Sequence, residues 1–239
     1  APSSSTPFVG TGSILVPCTA RGATCIGGDI DMLTLRGKDG KTAFSAFDQY
    51  GLPHPDLVRL DFSPRGRCVR EPAGGWLDAI VCDPPYGIRA GARKCGSKNE
   101  HVKPVPKELL QNHIPQTQNY ETSDLMIDLV DAAARMLKLG GRLVYLLPVV
   151  RTSYTDRALP RHECLTVIAN SEQPLRYPVA RRLITMVKTA EYDYEKADFY
   201  VQSSKAQLQM PSADELVAPA EAISGVRDAA FNKPRATNP

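Results

Sequence analysis

The residues with the most distinctive chemistry are Asp83-Pro84-Pro85-Tyr86, which directly follow the apolar run LDAIVC at 77–82. A run of that length reads as a buried strand, and the paired prolines stop it. The tetrapeptide therefore falls at the carboxyl end of a strand, where open α/β sheets place their ligands. An amine conjugated to a purine or pyrimidine ring is a poor nucleophile until its hydrogens are held and its lone pair is turned toward an electrophile. The Asp83 carboxylate could accept one N–H, and a backbone carbonyl whose direction Pro84 and Pro85 restrict could accept the other. Tyr86 would then stack on the base. Without that chemistry, the same residues end a strand and cap the next turn.

Three further groups gain meaning from their order around this motif. Pro7-Phe8-Val9-Gly10-Thr11-Gly12 offers bare backbone and positive φ to a cofactor, although it lacks the third glycine of the dinucleotide fingerprint and would serve equally as a structural turn. Asp29 ends a strand-like run at 23–29 and is placed to accept from ribose hydroxyls, with a helix cap as the plainer role. Asp61 ends the run at 56–61, where it could either meet an adenine amino group or cap a turn. Between 88 and 107, Arg89, Arg93, Lys94, Lys98, Lys103 and Lys107 stand against Glu100 alone. Such runs are commonly solvated faces, but beside a base-handling motif Arg89, Arg93, Lys94 and Lys98 would guide a polyanion toward it. The histidines at 54, 101, 113 and 162 show no metal spacing, so no metal site is expected.

The elements that must hold these residues alternate. A short helix is expected at 14–20, limited by Pro17, then the strand at 23–29, a helix at 41–51 and the strand at 56–61. Leu125, Met126, Leu129, Val130, Ala133, Met136 and Leu137 recur at helical spacing over 122–138, with Gly140-Gly141 as the expected stop. Residues 142–149 read as another buried strand, and 165–170 with 182–188 as a closing antiparallel pair. This order predicts an α/β fold with a mostly parallel sheet covered on both faces. The polar opening at 1–6 has no strand character, so the strand that should precede the glycine turn is expected to be missing or degraded. From 203 onward four prolines and eight alanines show no sustained period, which predicts a domain over 1–202 and a flexible tail over 203–239.

The chain has 239 residues, 42% of them hydrophobic, enough for one sizeable core, and its net charge of +3 neither demands nor excludes a nucleic-acid partner. Six cysteines without a Cys-x-x-Cys pair suggest reduced thiols rather than a zinc site or disulfide framework. No apolar run reaches the roughly 18 residues of a membrane span, and no signal pattern opens the chain, so a soluble, intracellular protein without membrane attachment is expected, in the cytoplasm or the nucleus.

Several segments together resemble one family. Thr6-Pro-Phe-Val-Gly-Thr-Gly-Ser-Ile-Leu15, Gly28-Asp-Ile-Asp31, Leu35-Arg-Gly-Lys38, Asp83-Pro-Pro-Tyr-Gly-Ile-Arg89, Gly91-Ala-Arg-Lys94, Pro160-Arg-His-Glu-Cys-Leu165, Ala169-Asn-Ser-Glu-Gln173 and Arg181-Arg-Leu-Ile-Thr185 look like the methyltransferase domain of eukaryotic tRNA (guanine-10-N2)-methyltransferases. The likeness covers about residues 6–190. It implies a Rossmann-like class I fold, here incomplete at the N-terminus, with S-adenosylmethionine as methyl donor and guanosine 10 of tRNA as acceptor. It also implies a small zinc-binding activator subunit and a THUMP-type tRNA-binding region upstream. Carried over by residue, Gly10 and Gly12 would line the methionine part of the cofactor, Asp29 its ribose and Asp61 its adenine, with Pro7, Phe8 and Asp83 also among the cofactor-binding residues. Asp83, Pro84, Pro85 and Tyr86 would hold the guanine beside the cofactor. One departure is Thr6, which stands where the family pattern has aspartate. The tetrapeptide by itself also suits DNA adenine or protein glutamine as acceptor, and the departure at Thr6 suits a non-catalytic, partner-dependent module.

Overall fold

The computed structural model describes residues 1–37, 39–63, 69, 71–85, 91–96, 105–106, 108, 116–209 and 219–231. Strand β1 (Ser3–Thr6) leads through the glycine turn to α1 (Leu15–Thr19), followed by β2 (Thr24–Asp29), α2 (Met32–Arg36), α3 (Ser45–Tyr50), β3 (Asp56–Arg59) and β4 (Leu77–Cys82). A two-stranded antiparallel ribbon, β5 (Arg93–Cys95) and β6 (Thr117–Asn119), precedes α4 (Thr122–Met136) and β7 (Leu137–Val150). The chain closes with β8 (Leu165–Pro174), β9 (Val179–Lys188), α5 (Ala197–Gln209), α6 (Glu221–Ser224) and α7 (Val226–Phe231). Seven strands form one sheet in the order β3-β2-β1-β4-β7-β9-β8, and β9 alone runs against the others. Among the described residues no helix is long and apolar enough to cross a membrane.

The opening of the chain differs from expectation. Residues 3–6 form β1, in the middle of the parallel sheet, paired with β2 on one side and β4 on the other. Local propensity argues against SSST as a strand, but two flanking strands supply its backbone partners and small side chains pack between the layers. Asp78 of β4 anchors its start, accepting hydrogen bonds from the Ser3 N–H at 2.7 Å and the Ser3 hydroxyl at 2.8 Å.

Helix α4 lays Leu125, Met126, Leu129, Val130 and Ala133 against the sheet, as its period requires. It ends at Met136 rather than at the glycines, because Leu137 already has extended backbone and pairs with Leu77. Gly140 and Gly141 lie within β7, where the register against β4 shifts between Leu77 and Ala79. A Cβ on Gly141 would stand 2.8 Å from the Lys138 carbonyl oxygen and 3.2 Å from those of Leu77 and Asp78, so the bulge requires glycine there.

Residue 203, expected to open a tail, lies inside α5. That helix buries Tyr200, Ser204 and Leu208, and Gln207 donates to the carbonyls of Arg157 at 2.8 Å and Leu159 at 2.9 Å. Polar side chains carry much of its attachment, which is why no apolar period announced it. Farther on, Ala222, Ile223 and Val226 are buried, the first two within the main core.

Candidate active site

The carboxyl rim of the sheet carries the chemistry. A cavity of about 670 Å³ opens there, lined by Pro7, Phe8 and Gly10 of the glycine turn, Asp29 at the end of β2 and Asp31 beyond it, Leu60 and Phe62 after β3, and Asp83 and Pro85 after β4. Its volume falls within the roughly 300–1,000 Å³ typical of small-molecule sites. The β5–β6 ribbon supplies one wall through Arg93 and Thr117, and Tyr120 completes it.

Asp29 joins the glycine turn to the end of β2. Its Oδ2 accepts from the Gly10 N–H and its Oδ1 from the Asp31 N–H, both at 2.9 Å. Each carboxylate oxygen keeps acceptor capacity beyond one such bond, so hydroxyls of a ligand can still be received. Gly10 has φ +51°, and nothing lies within 4 Å of where a Cβ would stand, leaving its backbone open to close approach. Gly12, at φ +83°, has a packing role instead, since a Cβ there would meet the Ala43 carbonyl oxygen at 3.2 Å, and it is not among the cavity's lining residues. Phe8 and Phe62 pack edge to face at 5.2 Å on the cavity wall.

Asp83 has 38% of its side chain exposed and sits 3.9 Å from the Arg181 guanidinium of β9. Gln173, opposite on β8, holds that guanidinium through its Oε1, which accepts from Arg181 Nη2 at 2.7 Å and Nε at 3.2 Å. Arg181 belonged to a segment that carried the family resemblance, yet its role had no local signal. The pairing across β7, β9 and β8 is what brings it to the rim.

Asp61 does not reach the cavity that its neighbours Leu60 and Phe62 line. Its carboxylate accepts from the Ser63 N–H at 2.9 Å and the Cys95 N–H at 2.8 Å, which ties the β5–β6 ribbon to the sheet, and it faces an adjoining apolar cavity of about 310 Å³. Thr6 is fully buried and lines that second cavity as well. Pro84 and Lys94 are likewise absent from the lining of the larger cavity. The Lys94 ammonium lies 4.6 Å over the Tyr120 ring, while Arg93 Nε donates to Thr117 Oγ1 at 2.6 Å. Burial, then the neighbouring Asp128 charge, pushes the Tyr120 hydroxyl far above the usual phenol range, and that hydroxyl donates to the Asp128 carboxylate. Tyr86, Arg89 and Lys98 lie outside the described residues.

This sheet order, with a glycine turn facing an acidic strand end across a rim cavity, defines a class I, Rossmann-like methyltransferase fold. The solved structure of a protein assigned as a sarcosine dimethylglycine methyltransferase from Galdieria sulphuraria matches with a TM-score of 0.52 at 9% identity, over 80% of this chain and 79% of that one. That likeness concerns the fold alone. No protein-family model matches the chain. The tRNA (guanine(10)-N(2))-methyltransferase TRMT11 of Pongo abelii is 40% identical over 204 residues, which cover 78% of this chain and 43% of that protein. Its counterpart from Dictyostelium discoideum is 42% identical over 191 residues, covering 78% of this chain and 37% of that protein. The chain belongs to the TRMT11 family, and it spans less than half the length of these curated relatives.

Proposed function

We propose that this chain binds S-adenosylmethionine in the 670 Å³ cavity and directs methyl transfer to N2 of guanosine 10 in tRNA. The observation that carries the reading is the meeting of Gly10, Asp29 and Asp83 on one cavity in a chain about 40% identical to TRMT11 proteins. Bound there, S-adenosylmethionine would supply an electrophilic methyl carbon. The open backbone at Gly10 and the acceptor oxygens of Asp29 suit the polar ends of that cofactor, and the Phe8–Phe62 pair suits its apolar surface.

The chain's own part is orientation. Asp83 accepts one hydrogen of the guanine amine, and the carbonyl of Pro84, which does not itself line the cavity but sits between the lining residues Asp83 and Pro85, is the acceptor proposed for the other, so the nitrogen lone pair faces the cofactor side of the cavity. Arg181 steadies the Asp83 carboxylate. Forming the N–C bond would break the methyl–sulfonium bond, whose electron pair stays on sulfur in S-adenosylhomocysteine, and the amine's surplus proton then leaves to solvent. Incubation with labelled S-adenosylmethionine and tRNA lacking the position-10 methyl group tests the proposal, with DNA and protein acceptors in parallel. Label confined to guanosine 10 supports it, and label on DNA or protein alone rejects it.

The small zinc-binding activator subunit implied by the family resemblance belongs to the same proposal. Among the described residues the outer strands β3 and β8 each pair on one side only, which offers edges on which another chain's strand could pair.

A further inference from the structure

The sheet does not stop at the level of the active site. β4 ends at Cys82 opposite Tyr145, whereas β7 continues to Val150, paired with Val179 of β9. At about 3.3 Å per residue, β7, β9 and β8 therefore rise roughly 16 Å past the end of β4, on the side of Asp83 marked by Arg181. The β5–β6 ribbon, through Arg93, walls the cavity that Asp83 also lines. Asp83 thus stands between a basic ribbon and a projecting arm.

The arm has the composition of a nucleic-acid surface. Arg151, Arg176, Arg181 and Arg182 lie on it against the single acidic residue Glu172. Its tip is a tight turn closed by backbone hydrogen bonds from Leu175 N–H to the Val179 carbonyl at 3.1 Å and from Val179 N–H to the Arg176 carbonyl at 2.8 Å. This turn presents Arg176 and Tyr177 to solvent, and Tyr177 is 71% exposed. Below it a hollow of about 330 Å³ is lined by Arg151, Tyr154, Glu172, Tyr177 and Arg182 among others. Glu172 holds both guanidinium groups there, Arg151 at 2.6 Å and Arg182 at 3.5 Å, and Arg182 lies 4.2 Å over the Tyr154 ring. A large aromatic ring on a hydrogen-bonded turn, with guanidinium groups beside it, is an arrangement that binds an unstacked base and its phosphate.

Building on the proposed tRNA methylation, we infer that the β8–β9 turn is a tRNA-contacting arm, in which Tyr177 stacks on a base near the target guanosine and Arg176 neutralises a backbone phosphate. The test compares the wild-type 239-residue chain with Arg176→Ala, Tyr177→Ala and Tyr177→Phe. Binding of a fluorescent tRNA transcript is followed by anisotropy across a salt series, and S-adenosylhomocysteine binding by calorimetry. Tyr177→Ala weakens tRNA binding about tenfold, as loss of one stacked base should. Tyr177→Phe, which keeps the ring, binds like wild type. Arg176→Ala lowers the slope of log affinity against log salt by about one phosphate's worth. All three variants keep wild-type S-adenosylhomocysteine affinity, which shows that they are folded. Unchanged tRNA affinity and salt slope in Tyr177→Ala and Arg176→Ala, with wild type still methylating tRNA, overturn the arm alone. A wild-type chain that neither binds nor methylates tRNA overturns the functional reading and the arm with it.

Discussion

Arg181 Nη1 stands 3.9 Å from Asp83 Oδ2, linking the outer hairpin of the sheet to the residue that would orient the acceptor amine. The two residues are almost a hundred positions apart, and Gln173 fixes the arginine from the next strand. Asp83→Ala should abolish methyl transfer while leaving S-adenosylmethionine affinity close to wild type, measured by labelled-cofactor turnover and calorimetry. Arg181→Gln should lower kcat about tenfold through misplacement of Asp83, again with little change in cofactor affinity. A reduced cofactor affinity as the main effect of either change would place these residues in cofactor binding instead.

Asp29 has a double role, holding Gly10 and Asp31 by their backbone N–H groups while facing the cavity. Hydrogen bonds to a charged carboxylate are worth roughly 1.5–3 kcal/mol each. Asp29→Ala is therefore expected to weaken S-adenosylmethionine binding at least about tenfold, read by calorimetric titration, because both the ligand acceptor and the turn that shapes the site are lost.

Acid stability should depend on Asp78. The Ser3 backbone N–H first, then Lys138 and the Ser3 hydroxyl, hold its carboxyl down to about 2 from an ordinary 3.8. A folded-state value below the unfolded one means that the carboxylate stabilises the fold above pH 3.8, and that this contribution disappears as pH falls from there toward 2. Denaturant titrations across this window should show a shallower acid loss for Asp78→Asn than for wild type. Equal slopes would remove Asp78 as the anchor of β1.

On α4, Asp131 accepts from the Tyr192 hydroxyl at 2.9 Å, pairs with Arg135 at 3.1 Å and lies 3.7 Å from His162. Burial pushes its carboxyl up, but the nearby His162 ring, the hydrogen bond from the Tyr192 hydroxyl and the charge of Arg135 together outweigh burial and leave it below the usual range. Removing one partner from a buried ionic cluster is costly, so Asp131→Ala should destabilise the protein by about 3 kcal/mol in urea unfolding. Arg135 also pairs with Glu71 at 2.5 Å, and a change below about 1 kcal/mol would mean that this second pair suffices.

Much of this architecture was legible from the chain alone. The apolar run at 77–82 became β4 with the same bounds, and the 3.6-residue period of α4 located its buried face, because both signals are local and strong. The order of glycine turn, acidic strand end and Asp83-Pro84-Pro85 was sufficient to foresee that Gly10, Asp29 and Asp83 would share a rim cavity. Other features exist only through partners distant in sequence. Ser3 to Thr6 become a strand because β2 and β4 flank them, and α5 docks through Ser204 and Gln207 rather than through an apolar stripe. Asp61 turns to the Cys95 N–H, and Arg181 arrives beside Asp83 by strand pairing. Sequence therefore determined which residues could do chemistry and which segments must be buried, since composition and period act within a few residues. The tertiary structure decided which polar groups meet, since that depends on hydrogen bonds and burial between segments that no local pattern records.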